Sequence, residues 1–334
     1  MNILFVRTDN IGDLVCTTPL IEATRAACPE AWIGLLANAY SAPAVAGHPA
    51  LDEVLVYRKA KHLEPGESRW GAYWARLRTI VALRRRGIDW LLVPSVGGQA
   101  SARRFAGWIG ARQVLINEEC DAAHEVEKVF ALARRFPPLA SLQPTIPPCR
   151  IVAEPSLQAL WQQRLVAAFG SGKRLRIGLH ISARKPSQRW PAGAFVEFAR
   201  RLAAQREVEF MLFWSPGDEH DPCHPGDDRK AAEIVAAAAG LRLLPAPTAE
   251  LPELIAGLSL CDLMLQSDGG AMHLAAALGK PIVCFFGQSD AARWQPWGVP
   301  HLVLQPASRE VAEVSVEAAL EACEQLLAGH TRGR

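Results

Sequence analysis

Short apolar runs alternate with amphipathic helical segments along most of the chain. In the first half this pattern predicts strands at Ile3–Val6, Trp32–Leu36, Val54–Val56, Trp90–Val93 and Val114–Ile116, and helices at Leu20–Ala27, Tyr73–Arg85 and Val126–Arg135. In the second half it predicts strands at Arg176–His180, Glu209–Phe213, Leu263–Gln266 and Ile282–Phe286, and helices at Ala194–Arg206, Asp228–Ala239, Leu251–Leu258, Met272–Leu278 and Val316–Leu327. Such alternation is typical of an α/β fold, in which crossover helices connect parallel strands.

A proline-rich segment, "RFPPLASLQPTIPPCRIVAEP", separates the two series of elements. Because proline lacks an N–H donor, this segment favours neither a long helix nor a central strand. We therefore interpret it as a linker that begins at about residue 136, between domains at residues 1–150 and 151–334. The expected architecture is two doubly wound, Rossmann-like domains that bring the carboxyl ends of their strands to opposite sides of a cleft.

The charge of the chain is nearly balanced, with a net value of +2, which argues against a nucleic-acid partner. Three basic clusters lie in the first half, at Arg84–Arg86, Arg103–Arg104 and Arg134–Arg135. Such clusters are typical of solvated helix faces. The alternative is a weak attraction to an anionic surface or acceptor.

Several common classes of protein are excluded by missing motifs. Eight cysteines without a C-x-x-C pair fit neither a zinc ribbon nor a disulfide framework. The N-terminus has only four consecutive apolar residues before Arg7, so it does not resemble a signal peptide, and no run approaches the roughly 20 apolar residues of a membrane span. Dinucleotide and P-loop glycine motifs are also absent from the sequence. We expect a cytoplasmic protein with reduced thiols.

An acidic residue, Asp13, follows a glycine where the first strand gives way to a helix, in "NIGDLVCTTP". One interpretation is that its carboxylate caps the start of the helix. The other is that it points into a cleft and acts chemically there. This stretch by itself leaves both interpretations open.

Two loops in the second half have the character of ligand-binding turns. The stretch "SDGGAMH" places Asp268, Gly269 and Gly270 between a strand and a helix, with His273 in the first helical turn. Glycines allow a ligand to approach the backbone closely, and a helix start offers N–H donors to an anion. The loop "FFGQSD" follows the next strand, so the two loops together indicate a cradle for phosphate and sugar groups.

Two further loops add donors and charges at the same sheet edge. "GLHISARKPSQRWP" supplies Ser182, Arg184, Lys185 and Arg189, which suit a diphosphate leaving group. "FWSPGDEHDPCHPGDD" contains Asp218 and Glu219, and we interpret it as a loop for ribose hydroxyls, since no ligand pair has the spacing of a metal site. We expect neither a metal nor a cofactor.

At the level of motifs, the chain resembles the heptosyltransferase family of glycosyltransferases, whose best-known members act on ADP-heptose and lipopolysaccharide. The family pattern R-x-x-x-x-G-D is matched by Arg7, Gly12 and Asp13. The pattern D-[ST]-G-x-x-H-L-A-A-A is matched by Asp268, Gly270, His273, Leu274 and Ala275–Ala277. The pattern F-G-x-[ST]-D is matched by Phe286, Gly287, Ser289 and Asp290.

This resemblance implies a GT-B fold with an N-terminal acceptor domain and a C-terminal nucleotide-sugar domain. It implies an inverting, metal-independent transfer in which Asp13 takes the proton of the acceptor hydroxyl, with Arg7, Asn10 and Gly12 on the acceptor side. The donor would be ADP-heptose and the acceptor a lipopolysaccharide-core or related glycan. A peripheral contact with the cytoplasmic face of the inner membrane is a further expectation. The expected donor-binding residues are Ser182, Arg184, Lys185, Gln188, Arg189, Asp218, Glu219, Asp268, Gly269, Gly270 and His273.

The chain departs from the family pattern at two positions of the donor domain. Gln188 stands where the family has a lysine that reaches the donor phosphates, so Lys185 or Arg189 would have to replace it. Gly269 stands where the family has a serine or threonine. Two alternatives therefore remain open, namely a family member with another donor or acceptor and an inactive homologue that still binds a nucleotide sugar.

Overall fold

The computed structural model describes residues 1–57, 69–96, 100–142, 144–172, 174–221 and 225–331. The chain divides into two compact units, Met1–Val152 and Ala153–Arg334. Each unit contains a parallel sheet with helices packed on its faces, as expected for a GT-B fold. Within the described ranges, no helix combines the length and the hydrophobicity that crossing a bilayer requires.

The first unit is built on a five-stranded sheet with the spatial order β3-β2-β1-β4-β5. Its strands are β1 (Asn2–Arg7), β2 (Trp32–Asn38), β3 (Glu53–Tyr57), β4 (Trp90–Val93) and β5 (Gln113–Ile116). Its helices are α1 (Ile11–Val15), α2 (Thr18–Ala27), α3 (Arg69–Arg86), α4 (Ala100–Ile109), α5 (Glu125–Phe130) and α6 (Pro137–Ala140), and Ala42–Val45 and Ala131–Arg135 form 3₁₀ turns. Side chains of α3 and α4 pack on one face of the sheet, and those of α2 and α5 pack on the other.

The second unit is built on a six-stranded parallel sheet with the order β11-β10-β9-β6-β7-β8. Its strands are β6 (Leu175–His180), β7 (Val208–Trp214), β8 (Leu243–Pro247), β9 (Leu263–Ser267), β10 (Ile282–Phe285) and β11 (His301–Leu304). Its helices are α7 (Pro155–Phe169), α8 (Ala192–Gln205), α9 (Asp228–Ala237), α10 (Leu251–Ser259), α11 (Gly270–Ala277), α12 (Ala291–Trp294) and α13 (Val316–Thr331), with 3₁₀ turns at Pro186–Gln188 and Val311–Glu313.

Both sheets have a point at which the strand order reverses. In the first sheet the chain runs from β1 outward to β3 and then returns to β4, on the other side of β1. In the second it runs from β6 outward to β8 and then returns to β9, on the other side of β6. The loops at such a switch point diverge, and ligands of open α/β sheets bind in the crevice between them. We therefore expect a ligand-binding site at the loops that follow β1, β6 and β9.

Several elements lie where the hydrophobic pattern predicts none, and two of them have clear physical reasons. Strand β8 contains Pro245 and Pro247, which are tolerated because β8 is an edge strand and one side of its backbone needs no ladder partner. Helix α7 begins at Pro155, the last residue of the segment interpreted as a linker, because proline is compatible with the first turn of a helix. Helix α4 and strand β11 were also not predicted. The helix predicted at Val126–Arg135 is the α-helix α5 followed by a 3₁₀ turn.

One buried histidine makes the stability of the first unit dependent on pH. Burial, together with the nearby charge of Arg150, lowers the pKa of His48 to about 4, and its Nδ1 accepts the Ala50 N–H at 3.2 Å. In the unfolded chain the His48 imidazole therefore takes up a proton near pH 6.5, whereas in the folded chain it does so only near pH 4. We expect the free energy of unfolding to fall by up to about 3 kcal/mol as the pH drops through this window.

Urea unfolding of the wild type and of His48→Gln between pH 7 and pH 4 checks this expectation, since the variant should show a shallower dependence on pH. His220→Gln is the control because the His220 side chain is largely exposed. An identical pH dependence in all three proteins would contradict the assignment to His48.

Candidate active site

The carboxylate of Asp13 is held in place at the switch point of the first sheet. Helix α1 follows β1 directly, and its Asp13 side chain is 18% exposed. Asp13 Oδ1 accepts a hydrogen bond from the Arg7 guanidinium at 3.0 Å, and Oδ2 accepts one from the Asn10 backbone N–H at 3.2 Å. The contact with Asn10 is half of a capping box. The structure thus contains the capping geometry, and it leaves part of the carboxylate open to solvent.

Arg7 is the centre of a buried charge cluster rather than a surface residue. Its side chain is 2% exposed and pairs with Asp9, Asp13 and Glu125, each at 3.0 Å. Burial acts to lower the pKa of Arg7, but the three carboxylates outweigh it and raise the pKa above its usual value. The guanidinium is enclosed by these carboxylates, and its ion pair with Asp13 orients that side chain. The expected acceptor-side role of Arg7 stays a prediction.

The two other residues expected on the acceptor side lie beside Asp13. Asn10 is exposed at the start of α1, whereas Gly12 is buried inside the helix. Glu125, the first residue of α5, completes the cluster around Arg7 and was missed by the sequence reasoning. Only Asn10 is therefore placed where a ligand could reach its side chain.

At the switch point of the second sheet, one side chain ties three loops together. Gln188, in the loop after β6, donates from Nε2 to Asp268 Oδ2 at 2.7 Å and to Ser289 Oγ at 2.9 Å. Ser267 Oγ donates to the Gln188 carbonyl at 2.6 Å. The loops after β6, β9 and β10 are also tightly packed, since a Cβ atom at Gly287 would lie 2.4 Å from the Ser187 carbonyl oxygen. The three loops therefore pack closely against one another at this sheet edge.

This arrangement changes the interpretation of Gln188. Both hydrogens of its amide nitrogen are used within the protein, so that group is not available to a phosphate. Instead, Gln188 fixes the orientation of the half-buried Asp268. The expected contact between Gln188 and the donor stays a prediction.

Four cations lie on or next to the loop after β6. Arg184 and Lys185 are exposed, and their side chains make no hydrogen bond or ion pair with any residue that the structure describes. Arg189 is half-buried, and its Nε donates to the Ala183 carbonyl at 3.0 Å. Lys230, from the first turn of α9, donates to the Ile181 carbonyl at 3.1 Å.

Lys230 was missed by the sequence reasoning because it lies more than 40 positions beyond the loop that it contacts. Burial lowers the pKa of Lys230 to about 8, and the charge of Arg189 acts in the same direction against that of Asp227. The lowered pKa of Lys230 is thus mainly an effect of burial, since the carboxylates of Asp227 and Glu233 act to raise it.

The loop after β7 is attached to the loop after β6 and contains the two acids expected to bind ribose. Ser182 Oγ accepts the Ser215 N–H at 2.9 Å, which joins the two loops. Asp218 is exposed, and Glu219 pairs with Arg229 at 2.7 Å, a contact that lowers the pKa of Glu219. Residues 222–224 of this segment lie outside the described residues. Among those that are described, no group of three acidic, histidine or cysteine side chains could hold a metal ion.

The turn before α11 carries the remaining residues of the predicted donor site. Helix α11 begins at Gly270. A Cβ atom at the preceding Gly269 would meet no atom within 4 Å, so there is room there for the side chain that the family pattern has. His273 is buried and lies edge-on to Trp294, with ring centroids 5.9 Å apart. Asp290 caps α12 by accepting the Ala292 and Arg293 N–H groups, so it has a structural role.

Comparison with known proteins gives a consistent family. Residues 94–322 match the model of glycosyltransferase family 9 (heptosyltransferase). The chain is 26% identical over 310 residues to lipopolysaccharide heptosyltransferase 2 of Salmonella typhimurium, covering 87% of this chain and 84% of that protein.

Two solved structures share the fold. A family 9 glycosyltransferase from Veillonella parvula has a TM-score of 0.83 at 18% identity, covering 98% of this chain and 97% of that one. ADP-heptose lipopolysaccharide heptosyltransferase II of Escherichia coli has a TM-score of 0.77 at 19% identity, covering 99% and 100%. The family predicted from the motifs around Asp13 and Asp268 is thereby confirmed: the chain belongs to glycosyltransferase family 9, the heptosyltransferase family.

Proposed function

We propose that this protein is an inverting, metal-independent glycosyltransferase that moves heptose from ADP-heptose to a lipopolysaccharide-core or related glycan acceptor. The observation that carries the proposal is the placement of opposite charges at the two switch points. The first has a carboxylate oriented by Arg7, and the second has the three cations of the loop after β6 together with Lys230, which contacts that loop. The names of the Salmonella and Escherichia coli relatives support the choice of donor and acceptor.

The proposed reaction needs one proton acceptor and one stabilised leaving group. The acceptor hydroxyl oxygen forms a bond to the anomeric carbon of heptose, and the bond between that carbon and the diphosphate oxygen breaks. The hydroxyl proton passes to Asp13, which Arg7 holds as an oriented carboxylate. The departing ADP takes the bonding electron pair. Its developing negative charge is stabilised by Arg184, Lys185, Arg189 and Lys230.

The sugar is proposed to lie against Asp268. Like charges repel, so this carboxylate suits sugar hydroxyls rather than phosphates. Its hydrogen bond from Gln188 leaves it oriented at the same edge as the cation-rich loop. In this proposal Asp268 contacts the sugar ring of the donor, and the cations contact its diphosphate.

The function is tested by incubating the protein with candidate nucleotide sugars and acceptor glycans and following the products by mass spectrometry. Release of ADP together with a heptosylated acceptor is expected. Turnover with another sugar would place the protein elsewhere in the same family. Binding of ADP without turnover on any acceptor would favour a protein that only binds the nucleotide sugar.

The division of the donor site predicts different effects for two substitutions in the turn before α11. Asp268→Ala should weaken the binding of ADP-heptose but not of ADP, because it removes only the contact to the sugar. Gly270→Val should weaken both ligands alike, because a side chain there would stand where the diphosphate approaches. Isothermal titration of both ligands against both variants measures the difference. If Asp268→Ala weakened the binding of ADP as much as that of ADP-heptose, the carboxylate would contact the nucleotide rather than the sugar.

A further inference from the structure

Helix α3 exposes a broad stripe of large apolar side chains. Trp70, Tyr73, Trp74, Leu77 and Val81 are all exposed, and Tyr73, Trp74 and Leu77 have exposed fractions of 53%, 61% and 47%. Their spacing of three to four residues places them on one face of the helix. A second face of α3 buries Leu83 and packs Ile80 against the sheet. The helix is therefore apolar on two faces, whereas packing in this unit requires only one.

Positive charge accompanies this stripe on α3 and on the neighbouring helix α4. The sequence of α3 contains six arginines and no acidic residue, and α4, which packs beside it, contributes Arg103 and Arg104 and again no acid. Arg78, Arg84 and Arg85 are exposed and form no ion pair within the described part of the chain. Trp108 of α4 is exposed as well. We call the exposed side chains of these two helices the α3–α4 surface.

The α3–α4 surface has a defined direction relative to the sheet. In the first half of α3, the Arg76 guanidinium stacks 4.7 Å from the ring of Tyr57, the last residue of β3. At its end, Arg86 stacks 4.1 Å from the ring of Trp32, the first residue of β2. The helix therefore runs antiparallel to the strands. Its aromatic end lies at the carboxyl edge of the sheet, which is also the edge of Asp13.

We propose that the α3–α4 surface docks the protein on an anionic lipid bilayer. Tryptophan and tyrosine side chains partition to the headgroup region, where their rings are buried and their polar atoms stay hydrated. Arginines next to them attract anionic headgroups, and neither helix carries an acidic residue that would oppose this attraction. A second copy of the chain is a poorer occupant, because a symmetric contact would set the arginines of one copy against those of the other.

The direction of α3 links this docking to the reaction. A lipid-linked acceptor held in the bilayer would reach the first unit at the edge where Asp13 lies, and this link rests on the proposed function. The docking itself does not, since it depends only on α3 and α4.

Flotation with lipid vesicles tests the proposal with the whole protein. We expect binding to vesicles of phosphatidylethanolamine and phosphatidylglycerol, weakened by added salt, and little binding to phosphatidylcholine alone. The variant Trp74→Ala/Leu77→Ala should lower the partition coefficient by about tenfold or more, because it removes apolar area from the interface. The variant Arg78→Gln/Arg85→Gln should lower it by roughly 25-fold, at about fivefold for each arginine.

A matched control is available on α7, where Leu160 is exposed and Arg164 stacks on Trp161. Leu160→Ala/Arg164→Gln removes a similar pair of groups and should bind vesicles like the wild type. All variants should keep their turnover with a water-soluble acceptor sugar, which separates a failure of docking from a failure of the proposed function.

Two results would overturn the proposal. One is vesicle binding that is unaffected by both α3 variants. The other is a wild-type protein that ignores anionic vesicles but self-associates in solution through contacts that Trp74→Ala/Leu77→Ala abolishes, which would make the α3–α4 surface an interface between copies of this chain.

Discussion

Asp13→Asn is expected to slow turnover by about 10²–10⁴-fold, the usual contribution of a general base, while ADP affinity stays nearly unchanged. The asparagine oxygen can still accept the hydrogen bond from Arg7, so the side chain should keep its place. Its amide group can no longer accept the Asn10 N–H, which should cost only about 1 kcal/mol of stability. Initial rates, ADP calorimetry and a thermal melt together measure these three consequences.

The matched control for Asp13→Asn is Asp9→Asn. Asp9 pairs with the same guanidinium, through Nε of Arg7 at 3.0 Å, so its replacement removes the same charge from the cluster. If Asp13 takes the proton, the Asp9 variant should lose less than about tenfold in turnover. Equal losses in the two variants would mean that Asp13 acts through the charge of the Arg7 cluster. Wild-type turnover in Asp13→Asn would mean that Asp13 only caps the start of α1.

The first switch point shows which parts of a site a sequence can predict. Asp13 was predicted because it follows β1 within a short turn, and local spacing is sufficient to place it at the sheet edge. Glu125 was not, because more than 100 residues separate it from Arg7 and only the packing of α5 brings the two together. The burial of Arg7 has the same origin. The sequence motif identifies Arg7, but only the tertiary structure shows that the charge of Arg7 is already neutralised by carboxylates.

The second unit repeats this contrast. The hydrophobic pattern predicted the central strands, which are continuous apolar runs, but not the edge strand β8, whose prolines mask its strand character. In the site, the cations of the loop after β6 were evident from the sequence, whereas Lys230 approaches from α9. From the sequence, Gln188 was interpreted as the replacement of a lysine that contacts the donor phosphates in the family pattern. Its hydrogen bonds to Asp268 and Ser289 were not predicted, because those residues belong to loops that lie about 80 and 100 positions away in the sequence.

The second large effect is expected from the cation-rich loop. The triple variant Arg184→Ala/Lys185→Ala/Arg189→Ala should lose measurable ADP binding, because each charge-assisted hydrogen bond contributes about 1.5–3 kcal/mol and three of them exceed a thousandfold in affinity. Arg184 and Lys185 are exposed, so the fold should survive. Arg200→Ala/Arg201→Ala on α8 is the control for removing positive charge from the same unit. Undiminished ADP affinity in a folded triple variant would exclude this loop as the phosphate site.

Lys230 gives the same site a dependence on pH that no exposed arginine can give. Its pKa of about 8 means that the ammonium loses its proton as the pH rises through that value. An anion bound beside it favours the charged form, so ADP affinity should be highest below pH 8 and decline above it. The phosphates of ADP are already fully ionised in this range.

The variant Lys230→Met should bind ADP more weakly at pH 7 and show no such decline, because methionine has a side chain of similar length and no titrating group. Calorimetry from pH 7 to pH 10 decides the matter: parallel curves for the wild type and Lys230→Met would show that Lys230 only supports the Ile181 carbonyl and does not serve the diphosphate.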